Sequence, residues 1–222
     1  MNNTFDSKNS NAHDTLDHSV YHRLREMILK KEFSSGEPLI QNQLTSMLGV
    51  SRTPIRKAMA ELEMEGLLER TPKGWLVKEF SMKDMISVFE LRAVLEGLAC
   101  RLYAEKVNMA DIAYMKAMFQ HALQQTTADD ASEYYKTDLK FHQMIVKGSE
   151  DVYLAKTIES CNVIETTLRQ GLYRDPKDTY SEHLAIIEAL ENGDGDRAEE
   201  LMKSHIRKAI SVMKSGHIKI YK

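Results

Sequence analysis

Apolar residues recur along this chain with the period of a helix far more often than with that of a strand. From Ser19 onward, Val20, Leu24, Met27 and Ile28 fall at i, i+4, i+7 and i+8, the stripe of an amphipathic helix. The run Phe33-Ser34-Ser35-Gly36-Glu37-Pro38 breaks it. A short second helix follows with Leu44, Met47 and Leu48 on its apolar side. Gly49 ends that helix, because glycine enters the left-handed region at little cost. A third helix begins at Ser51, with Pro54 tolerated in the first turn, where its missing amide would have had no partner. Its expected core positions are Ile55, Met59, Leu62 and Met64. Two β-prone runs, 67–70 and 75–78, flank the turn Thr71-Pro72-Lys73-Gly74 and predict a hairpin. Three helices and a two-stranded hairpin make a winged helix-turn-helix over residues 19–80. Residues 1–18 are polar and are expected to be disordered.

Ser81 is a favourable N-cap, and from there the helical period continues to about residue 215. It predicts helices at 82–106, 109–126, 129–147, 150–171, 177–192 and 195–215. The breaks fall at Val107-Asn108, Thr127-Ala128, Gly148-Ser149, Arg174-Asp175-Pro176 and Asn192-Gly193-Asp194-Gly195. Loops this short make neighbouring helices antiparallel in one bundle. The expected fold class is therefore mainly α, an N-terminal winged helix-turn-helix followed by an all-α antiparallel bundle over 81–215. Residues 216–222 form an unassigned tail.

Composition changes this picture little. Only four prolines and ten glycines occur in 222 residues, in keeping with long helices, and 42% hydrophobic residues allow a substantial core. No apolar run is long enough for a membrane span, and the N-terminus lacks the apolar centre of a secretion signal. Cys100 and Cys161 lie far apart inside helical patterns and read as buried, reduced thiols of a cytoplasmic protein. The net charge of −3 argues against a globally basic nucleic-acid binder. Residues 19–80 nevertheless carry ten Lys/Arg against eight Asp/Glu. A small surplus gathered on one face is enough for a DNA reader.

That surplus has a place to act. In a helix-turn-helix the second helix enters the major groove by its N-terminal end. Here that end offers Ser51, Arg52, Thr53, Arg56 and Lys57. Arginine pairs bidentately with guanine, while hydroxyls and lysine hold phosphates. The hairpin turn adds Lys73 and Gly74, the latter allowing backbone to approach the nucleic acid closely. Gln41, Asn42 and Thr45, at the start of the preceding helix, are positioned for backbone contacts.

The helical remainder holds a second constellation. Asp138 and His142 are spaced i, i+4 and share one helix face with Ile145. His183 lies between Tyr180 and Ile187, and His205 between Leu201 and Ala209, both on apolar faces. Taken singly, each is more simply a satisfied core or surface histidine. Together they are unusual, because bundle cores build metal sites from such facing side chains. Three imidazoles and one carboxylate suit Zn²⁺, Ni²⁺ or a similar first-row divalent ion. One carboxylate leaves such an ion a net charge of +1, which attracts an anionic effector. His13, His18 and His217 fall in the chain ends, and His22 and His121 read as surface residues.

The stretch Leu48-Gly49-Val50-Ser51-Arg52-Thr53-Pro54-Ile55-Arg56-Lys57-Ala58-Met59-Ala60-Glu61-Leu62, followed by Glu65-Gly66-Leu67-Leu68, resembles the GntR-type bacterial transcription regulators. The helical remainder resembles the FCD-type ligand-sensing domain of their FadR branch. The resemblance implies a homodimer on an inverted-repeat operator in double-stranded DNA, usually a repressor released by a small metabolite. It also implies metal binding by Asp138, His142, His183 and His205, which match the family's positions. Glu90-Leu91-Arg92-Ala93-Val94-Leu95-Glu96 resembles a motif of the same domain. It makes Arg92 and Glu96 candidate residues for a carboxylate effector, with an Arg92–Glu96 salt bridge as the alternative for Arg92. Arg169 is a further effector candidate on spacing alone. The chain departs from the family pattern at Asn42, where many members have arginine, at Lys57, where glutamate is usual, and at Trp75 after the wing glycine. Two other readings stand beside this one. The metal is itself the signal or purely structural, or the site is a metallo-hydrolase that activates water. The latter lacks a placed general base and any G-x-S-x-G nucleophile motif.

Overall fold

The computed structural model describes residues 7–160, 171–216 and 219–221. The chain divides into two compact units, Met1–Glu79 and Phe80–Lys222.

In the first unit, α1 (Ser7–Leu29) packs on α3 (Arg52–Met64), with α2 (Gln41–Leu48) between them in sequence. Val20, Leu24, Ile28, Leu44, Ile55, Met59 and Leu62 close a core with Leu67 and Val77. Helix α1 begins at Ser7, not at Ser19 as the apolar stripe predicts, so the segment expected to be disordered is helical from Ser7 onward. Two further expectations fail on burial. Met47 and Met64 are exposed, because α2 and α3 each bury a narrower stripe than their apolar residues would allow. Gly49 closes α2 at φ +67, with its N–H on the Thr45 carbonyl. Ser51 is the N-cap of α3, although its side chain makes no capping bond, and Pro54 is buried in the first turn.

The wing is a three-stranded antiparallel sheet, not a two-stranded hairpin. Strands β2 (Leu68–Thr71) and β3 (Gly74–Val77) pair through a two-residue turn, and β1 (Pro38–Leu39) adds to the far side of β3. Pro38, read from sequence as part of a turn, opens this edge strand, where a missing N–H is tolerated.

The second unit opens on a capping box. The Asp84 N–H donates to Ser81 Oγ, and the Ser81 N–H donates to Asp84 Oδ2. Helices α4 (Met82–Ala104), α5 (Met109–Gln125), α6 (Ser132–Gly148), α7 (Val152–Ser160), α8 (Pro176–Glu191) and α9 (Gly195–Ser215) form the bundle. Helix α7 is described only to Ser160, so the second half of the helix expected at 150–171 lies outside the described residues, as do Cys161 and Arg169. The most extensive packing joins α4 to α9. Gly97 lies at that contact, where a Cβ would stand 3.0 Å from Lys203 Cγ and push that side chain aside. Asn108, Asp175 and Asp194 cap α5, α8 and α9. The core runs through Phe119, Tyr134, Phe141, Ile145, Ile186, Ile187 and Met202. Cys100 is buried in it, and burial pushes its thiol well above the usual range. Beyond α9, Tyr221 forms an antiparallel bridge with Leu172. Among the described residues no helix is long and apolar enough to cross a membrane.

Candidate functional site

Helix α3 buries Ile55, Ala58, Met59 and Leu62 and leaves Ser51, Arg52, Thr53, Arg56 and Lys57 exposed on the other side of its first turns. The apolar face thus fixes where the guanidinium groups point. Beside it, Lys73 is exposed at the wing turn and Gly74 takes φ +125, a conformation strained for any residue with a Cβ. Asn42 is exposed, while Gln41 and Thr45 are half-buried. The Thr45 hydroxyl donates back to the Asn42 carbonyl at 2.8 Å.

Between α3 and the wing lies an open cleft of about 650 Å³, solvent at its mouth included, lined by Thr53, Arg56, Lys57, Ala60, Arg70 and Trp75. Ala60, Arg70 and Trp75 are the three members the sequence did not single out as contacts. The Arg70 guanidinium carbon sits 5.1 Å from the Trp75 ring centroid, within cation–π range. The indole N–H donates to Glu63 Oε2 at 2.8 Å. This clamp fixes the ring and gives Trp75, the chain's only tryptophan, a structural reason to be there. Lys57 meets Asp17 of α1 at 2.6 Å.

The second constellation converges. Helix α6 supplies Asp138 and His142, α8 supplies His183 and α9 supplies His205, all buried. One ligand atom from each can be chosen so that all four lie within 4.8 Å of one another. The backing of the rings decides what they offer. His142 Nδ1 is held by Glu96. His183 Nδ1 lies 3.1 Å from the Tyr134 hydroxyl, and His205 Nδ1 lies 2.9 Å from Glu182 Oε2. The carboxylates behind the Nδ1 atoms of His142 and His205 put the protons there and leave the Nε2 lone pairs of those two rings free to bind. The Tyr134 and Thr179 hydroxyls are 3.0 Å apart, and Thr179 Oγ1 is 3.2 Å from the Pro176 carbonyl. The Thr179 hydroxyl donates to the Tyr134 oxygen and holds it beside His183 Nδ1.

The inner nitrogens find no such satisfaction. His142 Nε2 and His183 Nε2 are buried without a hydrogen-bond partner. Asp138 lies 3.7 Å from the first and 3.1 Å from the second, without hydrogen-bond alignment. Buried, unsatisfied polar atoms are rare and costly. Burial, with His205 and His142 nearby, lowers the His183 pKa to about 3 against the pull of Asp138. Burial also lowers that of His205, opposed by Glu182 and Asp138. Burial alone would raise the Asp138 pKa, but His183, His142 and Arg92 outweigh it and hold the carboxyl well below its usual range. At neutral pH the cluster therefore offers neutral imidazoles from His183 and His205 and an ionised carboxylate. These are the protonation states that a metal requires. The residues present fit a first-row divalent ion.

A cavity of about 390 Å³, mouth included, adjoins the cluster and is lined by Asp138, His142, His205, Arg92, Arg174 and Thr179, with Phe89 and Tyr173 among its apolar walls. Arg92 thus reaches the cavity. Glu96 does not. One of its oxygens accepts from Arg92 Nε at 2.5 Å and the other faces His142, which makes it a histidine-orienting group and not an effector ligand. Arg92 both lines the cavity and pairs with Glu96. Arg174, missed in the sequence, grips Glu182 with both terminal nitrogens at 2.5 and 2.9 Å. Lys208 adds a second cation on Glu182 at 2.6 Å.

Comparison with known proteins decides what these two sites belong to. Residues 16–77 match the gntR family of bacterial regulatory proteins, and residues 87–208 match the FCD domain. The chain is a GntR-family transcription regulator with an FCD domain. It is 29% identical to the Nta operon transcriptional regulator of Aminobacter aminovorans, over 82% of this chain and 87% of that one. It is 24% identical to the transcriptional repressor RspR of Escherichia coli, over 89% and 88%. The solved structure of E. coli McbR/YncC superposes with a TM-score of 0.72 at 20% identity, covering 91% of this chain and 98% of that one, which shows a shared fold. These relatives are regulators and not enzymes, so the metallo-hydrolase reading falls away. The GntR helix-turn-helix domain is the DNA-binding part of such a regulator, and the FCD domain is its ligand-binding part.

Proposed function

We propose that this regulator is a cytoplasmic repressor whose grip on its operator is set by a small carboxylate, bound beside a divalent ion at Asp138, His142, His183 and His205. The observation that carries this reading is the cluster's inner face, where ring nitrogens without hydrogen-bond partners meet an ionised carboxylate in a buried site. A bound first-row divalent ion supplies a Lewis-acidic position for a carboxylate oxygen. The chain's own groups do the rest. Arg92 and Arg174 line the cavity with planar donors suited to a carboxylate, and Thr179 adds a hydroxyl. Glu96 and Glu182 hold His142 and His205 in the required tautomer, and Tyr134 orients His183.

The output lies on α3 and the wing. Arg52 and Arg56 read base edges, and Ser51, Thr53, Lys57, Gln41, Asn42, Thr45, Lys73 and Gly74 hold backbone. The chain acts as a homodimer on an inverted repeat. Leu91 and Val94, exposed on α4, offer an apolar surface for a second copy. An effector controls operator affinity only to the extent that it binds the two functional states unequally, by a coupling of typically about 1–3 kcal/mol.

Native mass spectrometry with metal analysis of the purified protein tests this directly. One first-row divalent ion per chain, lost in Asp138→Asn and His183→Asn, is expected, together with a co-purifying organic acid whose retention needs the ion. A chain that takes up no ion even when Zn²⁺ or Ni²⁺ is supplied overturns the reading. An ion that alone sets operator affinity, with no acid able to change it, makes the metal the signal.

A further inference from the structure

Outside the bundle, α1 carries a second pair of imidazoles. His18 and His22 are spaced i, i+4, both exposed, with their Nε2 atoms 2.9 Å apart. Their rings stand nearly perpendicular, with centroids 4.2 Å apart. Tyr21 flanks both rings, 6.3 Å from His18 and 4.9 Å from His22. The same turns are anchored, with Val20 and Leu24 in the core and the Tyr21 hydroxyl on Glu65, the C-cap of α3. The pair is therefore held on a fixed helix and aimed at solvent.

We propose that His18 and His22 form a second, surface metal site that takes Cu²⁺ or Ni²⁺ by cis chelation. The separation of the nitrogens selects the ion. With metal–nitrogen bonds of about 2.0–2.1 Å, nitrogens 2.9 Å apart subtend about 90° at the metal. That is the cis angle of a tetragonal or octahedral ion, and it is narrower than the tetrahedral angle that zinc prefers. The remaining positions go to water, because the pair faces solvent. No bond need break on binding other than the contact between the two Nε2 atoms, and each ring keeps its Nδ1 for its proton. The site does not depend on the buried cluster. It lies next in sequence to Asp17, whose carboxylate holds Lys57 of α3.

Equilibrium dialysis of the untagged full chain against Ni²⁺ tests this, with metal counted per chain. Three proteins are compared: the parent, His18→Gln/His22→Gln, and His22→Gln/Arg23→His. The last keeps the number of histidines and moves one off the shared face. The parent is expected to bind one more Ni²⁺ than either variant, with affinity at that site falling more than about tenfold when the second ring is lost or displaced. Ni²⁺ held by the buried cluster serves as the internal reference, and helicity by circular dichroism confirms that α1 is intact. Equal Ni²⁺ uptake by all three proteins overturns the proposal. Loss in the double glutamine variant but full uptake in the displaced-histidine variant also overturns it, since that pattern is isolated surface histidines and not a chelate.

Discussion

Glu182 shows how much a ligand depends on the residue behind it. Its carboxylate orients His205 and is itself held by Arg174 and Lys208. Glu182→Gln is expected to weaken metal binding by about 10–100-fold, read by chelator competition, with helicity unchanged. Glu96 stands deeper. Its loss leaves the Arg92 charge buried without its carboxylate, so Glu96→Gln is expected to cost about 3–5 kcal/mol of stability in urea unfolding. The four metal-ligand candidates were legible because each sits on an inward-facing apolar stripe, where a polar residue stands out. Their supporting residues were not. Tyr134 and Thr179 pass for ordinary helix residues, and Arg174 lies in a break where no period places its side chain. Glu96 was singled out through its motif, but only the fold shows its oxygens turned to Arg92 and His142 and away from the cavity.

At the scale of elements, helix periods and punctuation gave the most reliable signals. Gly49 is left-handed at the end of α2, and Ser81 with Asp84 opens α4. Ser81→Ala is expected to cost about 0.5–2 kcal/mol by thermal or chemical unfolding, as loss of an N-cap does. The start of α1 was missed because no apolar stripe marks it before Val20. Yet no proline or glycine interrupts Ser7–Leu29, so nothing in the chain stops the helix from running back. Strand β1 is two residues long, too short for alternation to reveal. Helix α3 and the wing carry the DNA prediction. Arg52→Ala or Arg56→Ala should lose about 1–3 kcal/mol of operator binding if that arginine reads a base, measured by fluorescence anisotropy at fixed salt. Lys57→Ala should instead weaken binding to all sequences alike and reduce the salt slope by about one. Trp75 lines the cleft beside Arg56, so its emission is expected to change when operator DNA is added to the full chain.

The whole molecule joins two units with different chemistry, a GntR domain that exposes Arg52, Arg56 and Lys57 on α3 and an FCD bundle that buries Asp138, His142, His183 and His205. The central claim is that the inward cluster governs the outward face. Operator affinity of the metal-loaded protein, titrated with a panel of small carboxylates, tests it most directly in the parent and in Asp138→Asn and His142→Ala. At least one acid is expected to shift the parent's operator Kd by about 5–150-fold. Both variants should still bind operator but show no shift. An acid that shifts the variants as strongly as the parent would contradict the claim.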